Sequence, residues 1–160
     1  RLVAVSPESW KGYNGLGVLA DLEGDFDSAR EHYTTALKLR PDIALLWNNL
    51  GYSIYLLGHL DKAPTYFQRA LELDPDDEGA RLNLALVHVR EERYEEALGL
   101  FLEAEDESTA YTQVGYLAYK VGDYEEATGL LQEAIKRSPT FNRQAHSYLA
   151  AAREAIRRSG

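Results

Sequence analysis

Residues 45–75 decide the fold, and they read LLWNNLGYSIYLLGHLDKAPTYFQRALELDP. Apolar and small residues recur there at spacings of three and four, which places them on one face of each of two helices. Gly58 marks the turn between the two helices. Pro75 ends the second helix because proline cannot continue the backbone hydrogen-bond ladder. The stretch therefore predicts a helical hairpin whose two apolar faces pack together.

The first helix of this hairpin contains Gly51, which costs about 1 kcal/mol relative to alanine inside a helix. A residue without a side chain lets the partner helix come close, so we expect Gly51 to have a packing role. Trp47 is the largest residue on the same face, and its replacement by alanine is expected to leave a cavity costing about 3 to 5 kcal/mol. Pro64 predicts that the second helix begins late, with Asp61 as its N-cap.

The spacing within this stretch resembles the tetratricopeptide repeat (TPR), whose pattern is W-x2-L-G followed by A-x3-F and P. The residues that carry the resemblance are Trp47, Leu50, Gly51, Ala63, Phe67, Ala70 and Pro75. The pattern recurs along nearly the whole chain. The resemblance implies an all-α fold, a right-handed TPR superhelix (an α-α solenoid) of four helix-turn-helix repeats plus a C-terminal capping helix.

The register of this pattern sets the expected repeat boundaries. We expect the tail of a preceding repeat at 1–9, a first repeat at 10–43, a second at 44–77, a shortened third at 78–107, a fourth at 108–141 and the capping helix at 142–160. The tail is inferred because Pro7 precedes Pro41 by the same interval that separates Pro41 from Pro75, with coincidence as the alternative. The third repeat is short because the interval from Ala85 to Gly115 lacks about one helical turn.

Composition argues against several classes of function. The chain has 160 residues, of which 45% are hydrophobic and 27% charged, as is typical of one globular domain. The absence of cysteine excludes disulfides, thiolate metal sites and cysteine nucleophiles. The net charge of −9 argues against nucleic-acid binding, because phosphate contacts need clustered Lys and Arg. No run approaches the roughly 18 apolar residues of a membrane span, so we expect no direct membrane insertion by this segment.

No motif indicates catalysis. His88, Glu91 and Glu92 have a spacing that could hold a metal on one helix, but His88 occupies the position of Ile54, which favours a packed histidine. The paired glutamates elsewhere are interpreted as solvated faces near helix starts. The sequence contains no glycine-rich phosphate loop and no nucleophile motif. We therefore predict that this protein is not an enzyme and has no metal or cofactor.

The first helix of each repeat offers a candidate peptide-binding groove, because stacked hairpins expose these helices on a concave surface. The candidate lining residues are Asn14, Val18, Asn48, Asn49, Tyr52, Tyr55, Asn83, Leu86, Arg90, Gln113, Tyr116, Tyr119 and Lys120. Part of this stripe is expected to pack on neighbouring repeats. The amides of Asn49, Asn83 and Gln113 could bind a ligand's backbone or tie adjacent helices together, and both interpretations stay open.

The expected groove is more basic than the rest of the chain. It carries Lys11, Arg90 and Lys120 against Asp21 alone, whereas the whole chain has a net charge of −9. We expect a protein or peptide ligand with apolar or aromatic anchors and an acidic group that reaches Arg90 or Lys120. In the alternative, these cations pair with neighbouring acids and a basic partner binds elsewhere.

A second resemblance is to the repeat proteins of bacterial tight-adherence (Flp) pilus assembly. The segments that carry it are residues 48–51 (NNLG), 114–119 (VGYLAY) and 138–139 (SP). It implies a non-catalytic scaffold at the periplasmic face of the outer membrane; without it, we expect a cytoplasmic location. The alternative function is a substrate-docking or regulatory TPR domain of a larger enzyme. A lipoprotein signal upstream of Arg1 would favour the scaffold, and an adjoining catalytic domain the alternative.

Overall fold

The computed structural model describes residues 9–159, and every regular element within them is an α-helix. The described helices are α1 (Trp10–Glu23), α2 (Phe26–Leu39), α3 (Ala44–Leu56), α4 (Ala63–Leu73), α5 (Glu78–Arg90), α6 (Tyr94–Leu102), α7 (Glu107–Val121), α8 (Tyr124–Arg137) and α9 (Arg143–Ser159). The all-α class is confirmed, while the superhelix and the count of four repeats stay predictions. The expected repeat tail at 1–9 lies, except for Ser9, outside the described residues.

The chain divides into two compact units, Arg1–Val87 and His88–Gly160. In the first unit α1 packs on α2, α2 on α3, and α3 on α4. In the second unit α6 packs on α7, α7 on α8, and α9 on both α7 and α8. No helix in the described part of the chain is both long and apolar enough to cross a membrane.

Glycine and aspartate together form two of the turns between helices. Gly24 and Gly122 adopt left-handed φ angles of 79° and 93° after α1 and α7. Asp25 and Asp123 follow, and each accepts a hydrogen bond from the backbone amide three residues on, at 3.1 and 3.2 Å. Hydrogen bonds from the Ser28 hydroxyl and amide also lower the pKa of Asp25. Asp25 and Asp123 are therefore the N-caps of α2 and α8.

The start of α4 confirms one expectation and corrects another. The helix begins at Ala63 and keeps Pro64 within its first turn, so the late start is confirmed. The predicted cap is wrong, because Lys62 and not Asp61 occupies the N-cap and no side chain caps the helix. A proline in the first turn has no amide hydrogen to satisfy, which lowers the need for a cap. The Ala63 amide donates instead to the His59 carbonyl at 3.1 Å.

The approach of α4 to α3 depends on the absence of a side chain at Gly51. A Cβ atom there would lie 2.8 Å from the ring of Phe67, which is fully buried. Gly17 has the same relation to Tyr33, whose ring would lie 2.5 Å from an added Cβ. The expected packing role of Gly51 is confirmed, and each of these glycines faces a large ring on the following helix.

Gly115 extends this arrangement to the second unit and allows a test. A Cβ atom there would lie 2.7 Å from Cγ of the buried Leu131, so Gly115→Ala is expected to destabilise the unit by about 1 to 3 kcal/mol. Gly129→Ala is the matched control, because its Cβ would meet nothing within 4 Å. That change should stabilise α8 by about 0.5 to 1 kcal/mol. Urea unfolding followed by circular dichroism measures both, and similar shifts in the two variants would contradict the close approach of α7 and α8.

Trp47 is not a core residue, contrary to the expectation from its spacing. Its side chain is half-buried, its Nε1 donates to the Pro41 carbonyl at 2.8 Å, and its ring stacks on Tyr66 with centroids 6.3 Å apart. The neighbouring Leu46 is fully buried in its place. Removal of Trp47 would leave an open notch that water can enter and not a closed cavity. The expected cost of about 3 to 5 kcal/mol is therefore wrong, because that figure applies to closed cavities.

Arg81 explains what the Trp47 position does. It holds the equivalent position on α5, and its Nη2 donates to the Pro75 carbonyl at 2.8 Å. In both cases a side-chain N–H reaches back six residues to the carbonyl of a proline. On α3 and α5 this position therefore holds a long donor that ties the first turn of the helix to the preceding loop, and Trp and Arg both supply one.

Candidate functional site

Two asparagine pairs join successive first helices of the first unit. Asn49 Nδ2 donates to Asn14 Oδ1 at 2.9 Å, and Asn83 Nδ2 donates to Asn48 Oδ1 at 2.9 Å. Each pair links residues 35 positions apart, so the same contact is repeated one hairpin further on. All four side chains, here called the asparagine row, are half-buried. The structure thus shows the helix tie that the sequence had left open for Asn49 and Asn83.

The tie leaves polar atoms of the asparagine row for other partners. A side-chain amide has two donor protons and an acceptor oxygen, and each tie uses one proton and one oxygen. Within residues 9–159, neither Nδ2 proton of Asn14 has an acceptor, and the oxygen and second amide proton of Asn49 have no partner. A peptide unit presents one N–H and one C=O, which matches this donor and acceptor set. Because the tie fixes the amides beforehand, less side-chain freedom is lost when a ligand binds.

Apolar and aromatic side chains neighbour the asparagine row. Val18 and Tyr52 follow Asn14 and Asn48 by one helical turn and are 40% and 39% exposed. Leu86 holds the equivalent position on α5 and is half-buried. The rings of Tyr52 and Tyr55 stack with their centroids 5.9 Å apart. The asparagine row together with Val18, Tyr52, Tyr55 and Leu86 is called the first-helix surface below.

Asp21, the one acidic residue expected in the groove, forms hydrogen bonds within the fold. The Asp21 carboxylate accepts hydrogen bonds from the Tyr33 hydroxyl at 2.8 Å and from the Ser53 hydroxyl at 2.6 Å. Tyr33 and Ser53 are both buried, so Asp21 is an internal acceptor that links α1, α2 and α3. The Lys11 ammonium lies 5.7 Å from the centroid of the Trp10 ring. Asp21 is therefore occupied within the fold, while the expectation that Lys11 lines the groove stays a prediction.

In the second unit, two candidate tyrosines take part in helix packing. Tyr116 lies against Tyr148 of α9 with ring centroids 4.7 Å apart, and Tyr119 lies against Tyr124 of α8 at 5.7 Å. Both candidates remain half-buried, and Lys120 in the last turn of α7 is exposed. These tyrosines contact neighbouring helices with one side and keep the other side accessible.

Gln113 lines a polar cleft at the start of α7, next to the α8–α9 connection. The cleft has a volume of about 670 Å³. Its other lining residues are Asp106, Glu107, Ser108, Thr109, Thr112, Arg137, Ser138, Pro139, Thr140, Asn142 and Gln144. Asn142 Nδ2 donates to the hydroxyls of Ser108 and Thr112, at 3.0 Å in each case. These bonds fix the wall of the cleft while the Gln113 amide stays half-buried beside it.

Arg90 lines a different cleft of about 440 Å³ within the second unit. Tyr94 and Asp123 lie in the same wall, and the Tyr94 hydroxyl donates to the Asp123 carboxylate at 2.5 Å. Asp123 also caps α8, so this acid already has two donors. Arg90 itself is exposed at the end of α5.

The histidine considered for metal binding is half-buried on α5. Burial, followed by the positive charge of Arg93, lowers the pKa of His88. Its Nδ1 has no hydrogen-bond partner within residues 9–159. Glu91 forms an ion pair with Arg93 at 2.6 Å. The described part of the chain holds no cluster of three potential metal ligands.

Comparison with known families decides what this arrangement of helices is. A tetratricopeptide repeat model matches residues 15–78 and 57–111, which together span more than half of the chain, and a second model of that description matches 108–138. The chain belongs to the tetratricopeptide repeat family. TPR proteins generally act as non-catalytic protein–protein interaction modules. Comparison with curated proteins returns no match.

Several solved structures share this TPR fold. A crystal structure of MamA has a TM-score of 0.62 at 21% identity, covering 94% of this chain and 84% of MamA. A MamA fragment from Desulfovibrio magneticus RS-1 has a TM-score of 0.64 at 17% identity, covering 97% and 94%. YrrB, described as a TPR protein with an unusual peptide-binding site, has a TM-score of 0.62 at 23% identity, covering 92% and 75%. At these identities the likeness shows the fold alone.

Two tyrosine hydroxyls of this TPR chain are expected to ionise at a higher pH than an ordinary tyrosine. Burial, followed by hydrogen bonds to Asp21 and Asp123, raises the pKa of Tyr33 and Tyr94. A raised tyrosine pKa means that stability is fully present below the ordinary value of about 10 and is lost as the pH rises above it. Tyrosinate absorbance measures this directly. Tyr33→Phe and Tyr94→Phe should each remove one hydroxyl that ionises above the ordinary tyrosine pKa. If either change instead removes a hydroxyl that ionises at the ordinary pKa, the corresponding hydrogen bond to Asp21 or Asp123 is contradicted.

Proposed function

We propose that this TPR chain is a non-catalytic scaffold that binds a segment of a partner protein on the first-helix surface. The observation that carries the proposal is the asparagine row, whose amides are fixed in pairs and still have hydrogen-bonding groups for a ligand. The exposed side chains of Val18 and Tyr52 lie one turn from these amides and supply apolar anchors. The peptide-binding site described for YrrB supports this choice of ligand class.

The proposed ligand is an extended segment and not a folded domain. Two equivalent amide pairs, one per hairpin, suit a ligand that repeats its backbone groups along its length. Apolar side chains of the ligand would lie on Val18, Tyr52 and Leu86, which hold equivalent positions on successive first helices. Amides bind the backbone regardless of its sequence, so sequence preference would come from these apolar positions.

Within the second unit, we propose that Gln113, Tyr116, Tyr119, Arg90 and Lys120 contact further parts of the partner. Lys120 and Arg90 are exposed cations near the ends of their helices, in a chain whose net charge is −9. They favour a partner with acidic groups, and the acidic remainder of the chain disfavours other approaches by acidic proteins. Reversal of both charges should weaken a ligand selected on this chain, with little change in stability.

Peptides selected on the 160-residue chain provide the test of the first-helix surface. Tyr52→Ala is expected to weaken their binding by about tenfold or more, because a partly exposed aromatic beside fixed polar groups is a typical hot spot. Leu102→Ala is the matched control, since Leu102 is also exposed but lies on α6, a second helix. Calorimetry gives both affinities. If Tyr52→Ala binds as tightly as Leu102→Ala, the proposed surface is wrong.

We further propose a role in bacterial Flp pilus assembly, supported by residues 48–51 and 114–119. The full-length gene tests this. A lipoprotein signal upstream of Arg1 would support it together with a location at the periplasmic face of the outer membrane. A catalytic domain joined to this segment would instead support the alternative, a substrate-docking or regulatory TPR domain of an enzyme. Either finding leaves the test of the first-helix surface unchanged.

A further inference from the structure

The two ties of the asparagine row repeat at the spacing of neighbouring helices. α1 contacts α3, and Asn49 on α3 donates to Asn14 on α1. One first helix further on, Asn83 on α5 donates to Asn48. The axes of packed helices lie about 8 to 10 Å apart. A ligand that crosses the first helices therefore meets the same polar groups at intervals of about 8 to 10 Å.

This interval distinguishes between the regular conformations that a ligand can adopt. A β-strand presents every second residue to the same side, which gives a repeat of about 6.6 to 6.8 Å. An α-helix uses its backbone groups for its own hydrogen bonds and leaves none for the asparagine row. A polyproline II helix has three residues per turn and a rise of about 3.1 Å, so its repeat is about 9.3 Å and its backbone groups stay free. Of the three, the polyproline II helix alone fits both the interval and the open amides.

The open polar groups on α3 are mainly hydrogen-bond donors. Within residues 9–159, Asn48 accepts one bond while both of its Nδ2 protons lack an acceptor, and Asn49 has one proton left. These atoms are not buried, so a ligand can reach them. α3 is tied to a first helix on either side, so its open groups do not result from where the described residues begin.

This surplus of donors favours a ligand that contains proline. An N–H without a partner is tolerated less well than an oxygen with one unused lone pair, so the asparagine row favours ligand carbonyls. A proline residue supplies a carbonyl and brings no N–H that needs an acceptor of its own.

Apolar and aromatic side chains follow the same interval beside the asparagine row. Val18, Tyr52 and Leu86 hold equivalent positions on α1, α3 and α5. Tyr52 is 39% exposed, and its ring stacks on that of Tyr55. Grooves lined with aromatic side chains bind proline-rich segments in the polyproline II conformation. One ligand side chain for each first helix corresponds to every third residue of such a segment.

We infer that the partner segment is rich in proline and lies across the first-helix surface as a polyproline II helix. Every third residue of this segment is apolar and packs on Val18, Tyr52 or Leu86, while the carbonyls between them accept hydrogen bonds from the asparagine row. This ligand class rests on the proposed function and adds to it a conformation and a residue pattern. A proline-rich segment already has this conformation when free, so little conformational freedom is lost on binding.

Synthetic peptides and calorimetry test the residue pattern on the 160-residue chain. A peptide of three Leu-Pro-Pro units presents leucine at every third residue and is expected to bind. A second peptide of the same composition has leucine at every second residue, and it should bind at least about tenfold more weakly because its side chains miss the equivalent positions. A third, with serine in place of each proline, should bind about tenfold more weakly because its backbone must first be ordered. Failure of the first peptide to bind, or equal affinity of either of the others, would overturn the inference.

Asn48→Asp tests the direction of the hydrogen bonds. The aspartate keeps an oxygen that accepts from Asn83, so the tie is retained, but it replaces two donor protons by an acceptor. The first peptide should therefore bind at least about tenfold more weakly, with little change in thermal unfolding. Gln132→Glu makes the same chemical change at an exposed position of α8 and should leave the affinity unaltered. If the Asn48→Asp chain binds this peptide as tightly as the Gln132→Glu chain, or more tightly, the ligand offers no carbonyl here and the inference is wrong.

Peptides selected on the chain separate this inference from the proposed function. Selected peptides that Tyr52→Ala weakens, and that contain proline with a period of three residues, support both. Selected peptides that Tyr52→Ala weakens, but that lack proline and alternate with a period of two, refute the polyproline II conformation and leave the proposed site intact. Selected peptides that Tyr52→Ala does not weaken refute the proposed site itself.

Discussion

Phe67→Ala is expected to lower the free energy of unfolding of the first unit by about 3 to 5 kcal/mol. Phe67 is fully buried, and its ring lies against the backbone of Gly51, where an added Cβ would be only 2.8 Å away. Loss of the ring leaves a closed cavity that the neighbouring backbone cannot fill without moving α4. Urea unfolding followed by circular dichroism measures the change.

Two controls define what the Phe67 result means. Gln68→Ala changes an exposed neighbour on the same helix and should shift stability by less than about 0.5 kcal/mol. Trp47→Ala should cost only about 1 to 2 kcal/mol, because it removes one hydrogen bond and a partly exposed ring stack. If Trp47→Ala proves as costly as Phe67→Ala, then Trp47 is a core residue and the position of α3 against α4 is wrong.

The packing of the hairpins could be predicted from sequence because the relevant signal is local. A glycine inside a helix is unfavourable, so its presence at Gly51 on the packed face already indicated that the partner helix comes close. The large residue, Phe67, occurs at a fixed distance along the repeat. The N-caps Asp25 and Asp123 were equally predictable, because a capping carboxylate and the backbone amide that donates to it lie only three residues apart.

Trp47 and Asp61 were misassigned because their roles depend on the loop before each helix. A period of three or four residues places Trp47 on the packed face, but the pattern does not distinguish the centre of that face from its edge. Trp47 lies at the edge because its indole N–H donates to the carbonyl of Pro41, which is outside the core. Asp61 is a good cap by type, but Pro64 in the first turn reduces the demand for one.

The candidate site was predicted in part. The asparagines at equivalent positions were visible in the sequence, but the hydrogen bond from Asn49 to Asn14 depends on how two helices stack. The same holds for Tyr116, whose partner Tyr148 belongs to α9. A spacing rule tells which residues share a face of one helix. It does not tell which of them the next helix covers.

Asp21→Ala is expected to destabilise the first unit by about 2 to 4 kcal/mol, more than the loss of an exposed charge. Two hydroxyls donate to this carboxylate, those of Tyr33 and Ser53, and both residues are buried. Removal of the acceptor leaves two hydroxyls without a partner, and each costs about 1 to 3 kcal/mol when water cannot reach it. Urea unfolding measures the loss.

Asp27→Ala is the matched control for Asp21, because Asp27 pairs with the exposed Arg30 at 3.0 Å and should contribute about 0 to 1 kcal/mol. Asp21→Asn should keep part of the stability, since its amide oxygen still accepts one hydroxyl. Tyr33→Phe with Ser53→Ala removes both donors, and in that background Asp21→Ala should cost much less than it does alone. An unchanged cost there would show that Asp21 stabilises the unit by some means other than these two hydrogen bonds.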